Sequence, residues 1–144
     1  MVITRATEYS IRAMLHLAAK YPASVVSKHE ICKAEDITPA FLAKILQPLI
    51  KEGLVVSRRG VAGGFALAKS PERISLLDVM HAVDEPLSLN LCLTADQQCD
   101  RMNLCPVHIL WQDVRGYIEK RFGGKTLADL IREKNEIQKA RACS

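Results

Sequence analysis

Several absences narrow the field before any residue is read for what it does. No run of about 18 apolar residues occurs anywhere, so nothing reads as a membrane-spanning helix. The first residues, Met1-Val2-Ile3-Thr4-Arg5 followed by Glu8 and Arg12, lack the apolar stretch of a secretory signal, and a cytoplasmic protein is expected. There is no internal repeat, no low-complexity tract, no Cys-x-x-Cys pair and no nucleotide-binding glycine loop. A thiol redox enzyme is therefore supported by cysteine number alone. Charge of one sign is also scarce, with 20 Lys plus Arg against 16 Asp plus Glu for a net +4.

What is present fits one small globular unit. The chain has 144 residues, 49% of them apolar and 25% charged, a balance that allows a buried core. The modest charge becomes informative once it is located. Residues 1–73 carry 11 basic and 6 acidic side chains, a net +5, whereas 74–144 carry 9 and 10, a net −1. An anionic partner would meet the first half.

Apolar residues recur at helical spacing over 4–20, through Ala6, Tyr9, Ala13, Met14, Leu17 and Ala18, and Tyr21-Pro22 ends the pattern. Ser27-Lys28-His29-Glu30 has the form of a capping box, in which the Ser hydroxyl accepts a backbone N–H three residues on and the Glu reaches back. A short second helix to about Ala34 is predicted. Thr38-Pro39 supplies an N-cap and a first-turn proline for a third helix, with Phe41, Leu42, Ile45, Leu46, Leu49 and Ile50 as its apolar stripe and Gly53 as its end. Residues 54–57 and 64–68 read as strands, with 58–64 as the loop between them. Helix, helix, helix, strand, loop, strand is the order of a winged helix-turn-helix, so the predicted fold is mainly α with a small β-hairpin wing. Helical patterns return over 74–83, 107–122 and 127 to about 139. Between 84 and 104 no period is visible, which is too long for an idle connection in a compact domain.

A winged helix needs an exposed third helix for the major groove and a cationic wing for phosphates. Off the apolar stripe of the third helix lie Thr38, Ala40, Ala43, Lys44 and Gln47, small or hydrogen-bonding residues that permit close approach to DNA. On the wing, Arg58 and Arg59 stand beside Gly60, Gly63 and Gly64, whose missing side chains permit a tight tip. These residues are the expected DNA contacts.

Three of five cysteines cluster. Cys92, Cys99, Cys105 and His108 are spaced C-x6-C-x5-C-x2-H, in the aperiodic stretch and the first turn of the helix that follows. Cys105 falls at the N-cap position, Pro106 begins the helix and His108 is its third residue, so thiolate and imidazole can share one side of a helix start that favours anions. Soft thiolates with one imidazole suit zinc or an iron-sulfur centre, and the spacing does not choose between them. Packing of the three thiols as small hydrophobes is disfavoured by the polar loop around them, Asp96, Gln97, Gln98, Asp100 and Arg101. Cys32 and Cys143 are isolated, and His16, His29 and His81 read as ordinary helix residues.

These features together resemble the Rrf-two family of bacterial winged-helix transcriptional regulators over about residues 1–132. The resemblance is carried by Thr7-Glu8-Tyr9 with Arg12-Ala13, Gly53-Leu54-Val55, Arg59-Gly60 and Gly63-Gly64-Phe65, Ala82-Val83-Asp84-Glu85, and Thr126-Leu127-Ala128-Asp129-Leu130. It implies a homodimer whose long helix, about 107–122, crosses to the second subunit, and a cytoplasmic regulator of double-stranded DNA. Two-fold symmetry in turn implies a pseudo-palindromic operator. Cys105-Pro106-Val107-His108-Ile109-Leu110-Trp111 is similar to the IscR-like subgroup, in which three cysteines and a histidine hold a [2Fe-2S] cluster. Glu8, with Glu85-Pro86-Leu87-Ser88-Leu89, is similar instead to the NsrR-like subgroup, in which an acid from the opposite subunit completes a [4Fe-4S] cluster. The closer local match favours His108 and [2Fe-2S], with Glu8 as the alternative fourth ligand.

The expected organisation is a winged helix-turn-helix DNA-binding domain over 1–84, an iron-sulfur cluster-binding loop over 85–106, and a dimerisation helix with a C-terminal helix over 107–144. The expected function is a non-enzymatic transcriptional regulator, a repressor, that senses iron-sulfur, redox or nitric-oxide status. The alternatives are a zinc-stapled DNA-binding regulator and, further off, a thiol redox enzyme.

Overall fold

The computed structural model describes residues 3–22, 24–84, 88–94 and 99–144. Six helices and one hairpin follow in chain order: α1 (Arg5–Lys20), α2 (Lys28–Glu35), α3 (Pro39–Lys51), β1 (Val55–Arg58), β2 (Gly64–Leu67), α4 (Leu76–Val83), α5 (Pro106–Gly123) and α6 (Leu127–Ala142), with short 3-10 turns at Pro71–Arg73, Leu91–Leu93 and Met102–Leu104. The predicted fold class, mainly α with a hairpin wing, is the one observed.

Five of the six helices, all but α5, begin where the sequence provides a side-chain oxygen for the free N–H groups of the first turn. The hydroxyls of Thr4, Ser27 and Thr38 accept from the backbone N–H of Thr7, Glu30 and Phe41 at 3.2, 3.1 and 3.3 Å. Reciprocal capping boxes open α4 at Ser75 with Asp78 and α6 at Thr126 with Asp129. At α2 only the Ser27 half of the predicted box forms. The Glu30 carboxylate is drawn away to His16, 3.2 Å, and Lys20, 3.4 Å, on α1.

The core is built by the stripes of α1, α2 and α3. Met14, Leu17, Ile31, Leu42, Ile45, Leu46 and Leu49 are all 2% exposed or less, and each such side chain contributes about 1.5–3 kcal/mol of burial. Val55, Ile74, Val79 and Leu127 join the same cluster. Leu127 brings the start of α6 into this core, where its N–H donates to the Ile74 carbonyl at 2.9 Å and the Leu76 N–H donates to the Lys125 carbonyl at 2.8 Å.

The hairpin is antiparallel, with Val55 opposite Leu67 and Arg58 opposite Gly64. Val26 adds a third partner by exchanging two 2.8 Å bonds with Phe65, so the wing is stitched to the segment before α2. Gly64 makes this approach possible: a Cβ there would lie 2.2 Å from the Val26 carbonyl oxygen.

Some boundaries differ from those read in the sequence. Arg58, expected in the wing loop, ends β1, because its ladder pairing with Gly64 extends the strand by one residue. Ile74 and Ser75 lie outside α4, as the buried end of the preceding segment and the cap, and α6 runs past Lys139 to Ala142. The long aperiodic stretch contains two 3-10 turns. Glu85, Pro86 and Leu87, and Asp96, Gln97 and Gln98, lie outside the described residues.

Candidate nucleic-acid interface and metal site

Aromatic and charged contacts from α1 fix where α3 stands. Tyr9 meets Phe41 edge-to-face, with ring centroids 5.6 Å apart at 85°, and the Arg12 guanidinium lies 5.0 Å over the Tyr9 ring while pairing with Glu8 at 2.6 Å. On the face of α3 turned from the core, Thr38, Ala40, Ala43, Lys44 and Gln47 are all exposed. The Thr38 oxygen accepts the cap bond from Phe41, which leaves its O–H free to donate. Arg58, Arg59 and Gly60 are exposed on the wing. Among the described residues, Lys44, Arg58 and Arg59 take part in no salt bridge, so their charge is uncommitted within the chain. The carboxylates here go elsewhere: His16 sits between Glu30 and Glu35, 3.2 and 3.5 Å away, and this hydrogen bond holds the Glu30 carboxyl below its ordinary range.

The second group of residues converges on α5. Cys105 is its N-cap residue, and the thiol makes no cap hydrogen bond, which leaves its sulfur available. Cys92 is carried by the Leu91–Leu93 turn and Cys99 lies just before the Met102–Leu104 turn. Cys92, Cys99, Cys105 and His108 line one pocket of about 320 Å3, together with Trp111, the single tryptophan. The three thiols are half-buried, and His108 is 9% exposed. Its Nδ1 has no hydrogen-bond partner among the described residues, a deficit that costs about 1–3 kcal/mol unless something else occupies it. Among the described residues no three such side chains are arranged to hold a metal ion together. The four have nevertheless been brought to one pocket with one imidazole nitrogen unsatisfied, and that donor set fits a soft metal centre.

Glu8 stands elsewhere, exposed on α1 and paired with Arg12. Cys32 packs half-buried against the core, and Cys143 caps the exposed end of α6. Two contacts carry no obvious sequence signal. Asp84, at the end of α4, accepts from the hydroxyls of Thr4, at 2.8 Å, and Thr7, tying the start of α1 to the start of the cysteine-bearing segment. Arg115 on α5 donates to the Leu93 carbonyl at 3.2 Å.

A recognition helix set beside a basic wing defines a DNA-binding regulator of the winged helix-turn-helix class. The chain belongs to the Rrf2 (Rrf-two) family, whose model, described as an iron-dependent transcriptional regulator, matches residues 3–133. A relative from Aquifex aeolicus named as an HTH-type transcriptional regulator is 33% identical over 133 residues, covering 91% of this chain and 92% of that protein. The regulator IscR of Yersinia pseudotuberculosis is 31% identical over 140 residues, covering 97% and 85%. Among solved structures, T. potens IscR superposes with a TM-score of 0.78 at 25% identity, covering 96% of this chain and 91% of that one. The fold is shared as well with CymR, the global cysteine regulator of B. subtilis, at a TM-score of 0.77, 24% identity and coverage of 92% and 98%. The chain is thus a transcriptional regulator. No helix among the described residues is long and apolar enough to cross a membrane.

Proposed function

We propose that this regulator represses transcription from the cytoplasm as a homodimer and adjusts its DNA affinity through an iron-sulfur cluster held by Cys92, Cys99, Cys105 and His108. The observation that carries this reading is the convergence of those four residues on one pocket, with the buried His108 Nδ1 lacking a partner. The resemblance of Cys105-Pro106-Val107-His108 to the IscR-like subgroup favours [2Fe-2S] over [4Fe-4S], with Glu8 from a second copy as the alternative fourth ligand. A cluster bound there would supply one-electron redox chemistry and sensitivity to oxidants and nitric oxide.

The chain's own residues supply the rest. Thr38, Ala40, Ala43, Lys44 and Gln47 face the major groove of double-stranded DNA, while Arg58 and Arg59, with Gly60 at the turn, neutralise phosphates. Val107, Ile109, Leu110, Val114 and Tyr117 on α5 are between 37% and 66% exposed, an apolar surface suited to a second copy of the chain. Residues 1–84 then read DNA, 85–106 sense, and 107–144 dimerise. Drawing the four ligand side chains together closes the cysteine-bearing segment onto the N-terminus of α5, the helix that sets the spacing of the two winged helices. A pseudo-palindromic operator follows from that symmetry, and the effect of ligation on DNA binding must equal the effect of DNA on ligation.

A zinc-stapled regulator is the second reading, because the same four donors make a closed tetrahedral zinc set. Anaerobic purification with metal and sulfide analysis separates the two. Brown protein containing iron and acid-labile sulfide, lost on Cys105→Ala and spectrally altered by His108→Ala, is the expected result. Colourless protein with one zinc per chain overturns it in favour of the second reading. A spectrum altered by Glu8→Ala but not by His108→Ala moves the fourth ligand to Glu8.

A further inference from the structure

Cys105 and Cys92 reach their pocket by different means. Cys105 belongs to the helix itself, so the backbone of α5 places it. Cys92 sits on the Leu91–Leu93 turn, a unit closed by its own hydrogen bonds: the Asn90 side chain accepts from the Leu91 N–H at 2.8 Å, the Leu93 N–H donates to the Asn90 carbonyl at 2.9 Å, and the Thr94 hydroxyl donates to the Leu91 carbonyl at 2.7 Å. Those bonds shape the turn but anchor it to nothing. Among the described residues, the one hydrogen bond from 90–94 to a helix is the 3.2 Å bond that Arg115 Nη1 donates to the Leu93 carbonyl, across 22 positions of sequence.

The placement of Arg115 suits that task. It lies seven residues beyond His108, two helical turns, and so on the same face of α5 as His108 and Trp111. Glu119, one turn further on, stands 3.5 Å from its Nε and orients the guanidinium. Arg115 also lines a small pocket of about 120 Å3 shared with Cys92 and His108.

We propose that Arg115 is a positioning residue for the cysteine pocket, holding the Leu93 carbonyl against α5 so that Cys92 stays beside His108 and Trp111. The proposal rests on the reading of Cys92 as a ligand, but it concerns the protein before any cluster is bound.

The test uses full-length, metal-free, reduced protein as wild type, Arg115→Ala and Arg115→Lys. Iodoacetamide alkylation of Cys92 and Cys105 is followed peptide by peptide, with the emission of Trp111 as the local reporter. Freeing the turn from α5 should raise Cys92 reactivity by about fivefold, equivalent to about 1 kcal/mol, while leaving Cys105 unchanged. Arg115→Lys, which keeps a cationic donor, should recover part of that change. Reconstitution with ferrous iron and sulfide should then give a visible circular dichroism spectrum altered in Arg115→Ala and partly restored in Arg115→Lys. Cys92 rates equal in all three proteins overturn the proposal, as does an equal change at Cys92 and Cys105, which would mean general loosening of the chain. If wild type takes up no iron and sulfide, the cluster reading falls by itself, and the ratio of Cys92 to Cys105 rates still decides the role of Arg115.

Discussion

Helix α3 buries Leu42, Ile45, Leu46 and Leu49 to 1% exposure or less within 13 residues, whereas α5, with 18 residues, buries only His108 and leaves Ile109, Leu110 and Tyr117 more than half exposed. The apolar stripe of α3 finds its complement inside the same chain, in α1, α2 and the base of the wing. The apolar residues of α5 find little of theirs. An amphipathic helix is stabilised chiefly by the surface that covers it, so the α3 stripe is complete in one chain while the apolar residues of α5 are left largely uncovered. The polar chemistry follows the same division. Glu30 and Glu35 on α2 are engaged by His16, while the buried His108 of α5 keeps a nitrogen without a partner among the described residues.

Substitutions on the two helices should separate these roles. Leu46→Ala, in the filled core of α3, is expected to lose about 2–5 kcal/mol of stability in urea unfolding. Leu110→Ala on α5 should change the unfolding free energy of the monomer by less than about 0.5 kcal/mol, yet weaken self-association in sedimentation equilibrium. Equal losses of monomer stability would break the contrast. Gly64→Ala should cost about 1–3 kcal/mol in the same unfolding measurement, since its Cβ meets the Val26 carbonyl, a backbone atom that cannot swing aside.

A modest effect is expected at the joint between the halves. Thr126→Ala removes the cap of α6 and should cost about 1 kcal/mol. The backbone N–H and the hydroxyl of Thr126 both donate to the Asp129 carboxylate, which holds its pKa below the ordinary 3.8. Its contribution is present above pH 3.8 and is lost as pH falls below that value through the lowered one. The acid limb of a thermal melting series should therefore be shallower in Asp129→Asn than in wild type.

The features legible in the sequence are those that local spacing encodes. The stripe of α3, the proline after Thr38 and the glycines of the wing each act within a few residues, and the structure places them as read. Contacts between distant segments leave no such trace. Val26 pairing with Phe65 and Leu127 bonding to Ile74 join stretches that are individually unremarkable in sequence. Glu30 shows the two levels in competition, since its local capping role yields to a hydrogen bond with His16 on another helix. At the cysteine pocket, composition and spacing single out Cys92, Cys99, Cys105 and His108. Arg115 has no part in that spacing, and only the fold puts it against the Leu93 carbonyl. The motif Thr7-Glu8-Tyr9 with Arg12 acquires physical content in the same way: Thr7 donates to Asp84, Glu8 pairs with Arg12, and Tyr9 meets Phe41.

In the proposed function, the state of the cysteine pocket changes the hold of the winged helices on DNA. Fluorescence anisotropy measures it directly, using a duplex selected from random sequence by the protein itself and titrated at fixed salt with anaerobically loaded protein and with the same preparation stripped of iron. The two dissociation constants should differ by at least about fivefold, a coupling near 1 kcal/mol. Identical constants for loaded and stripped protein would contradict it.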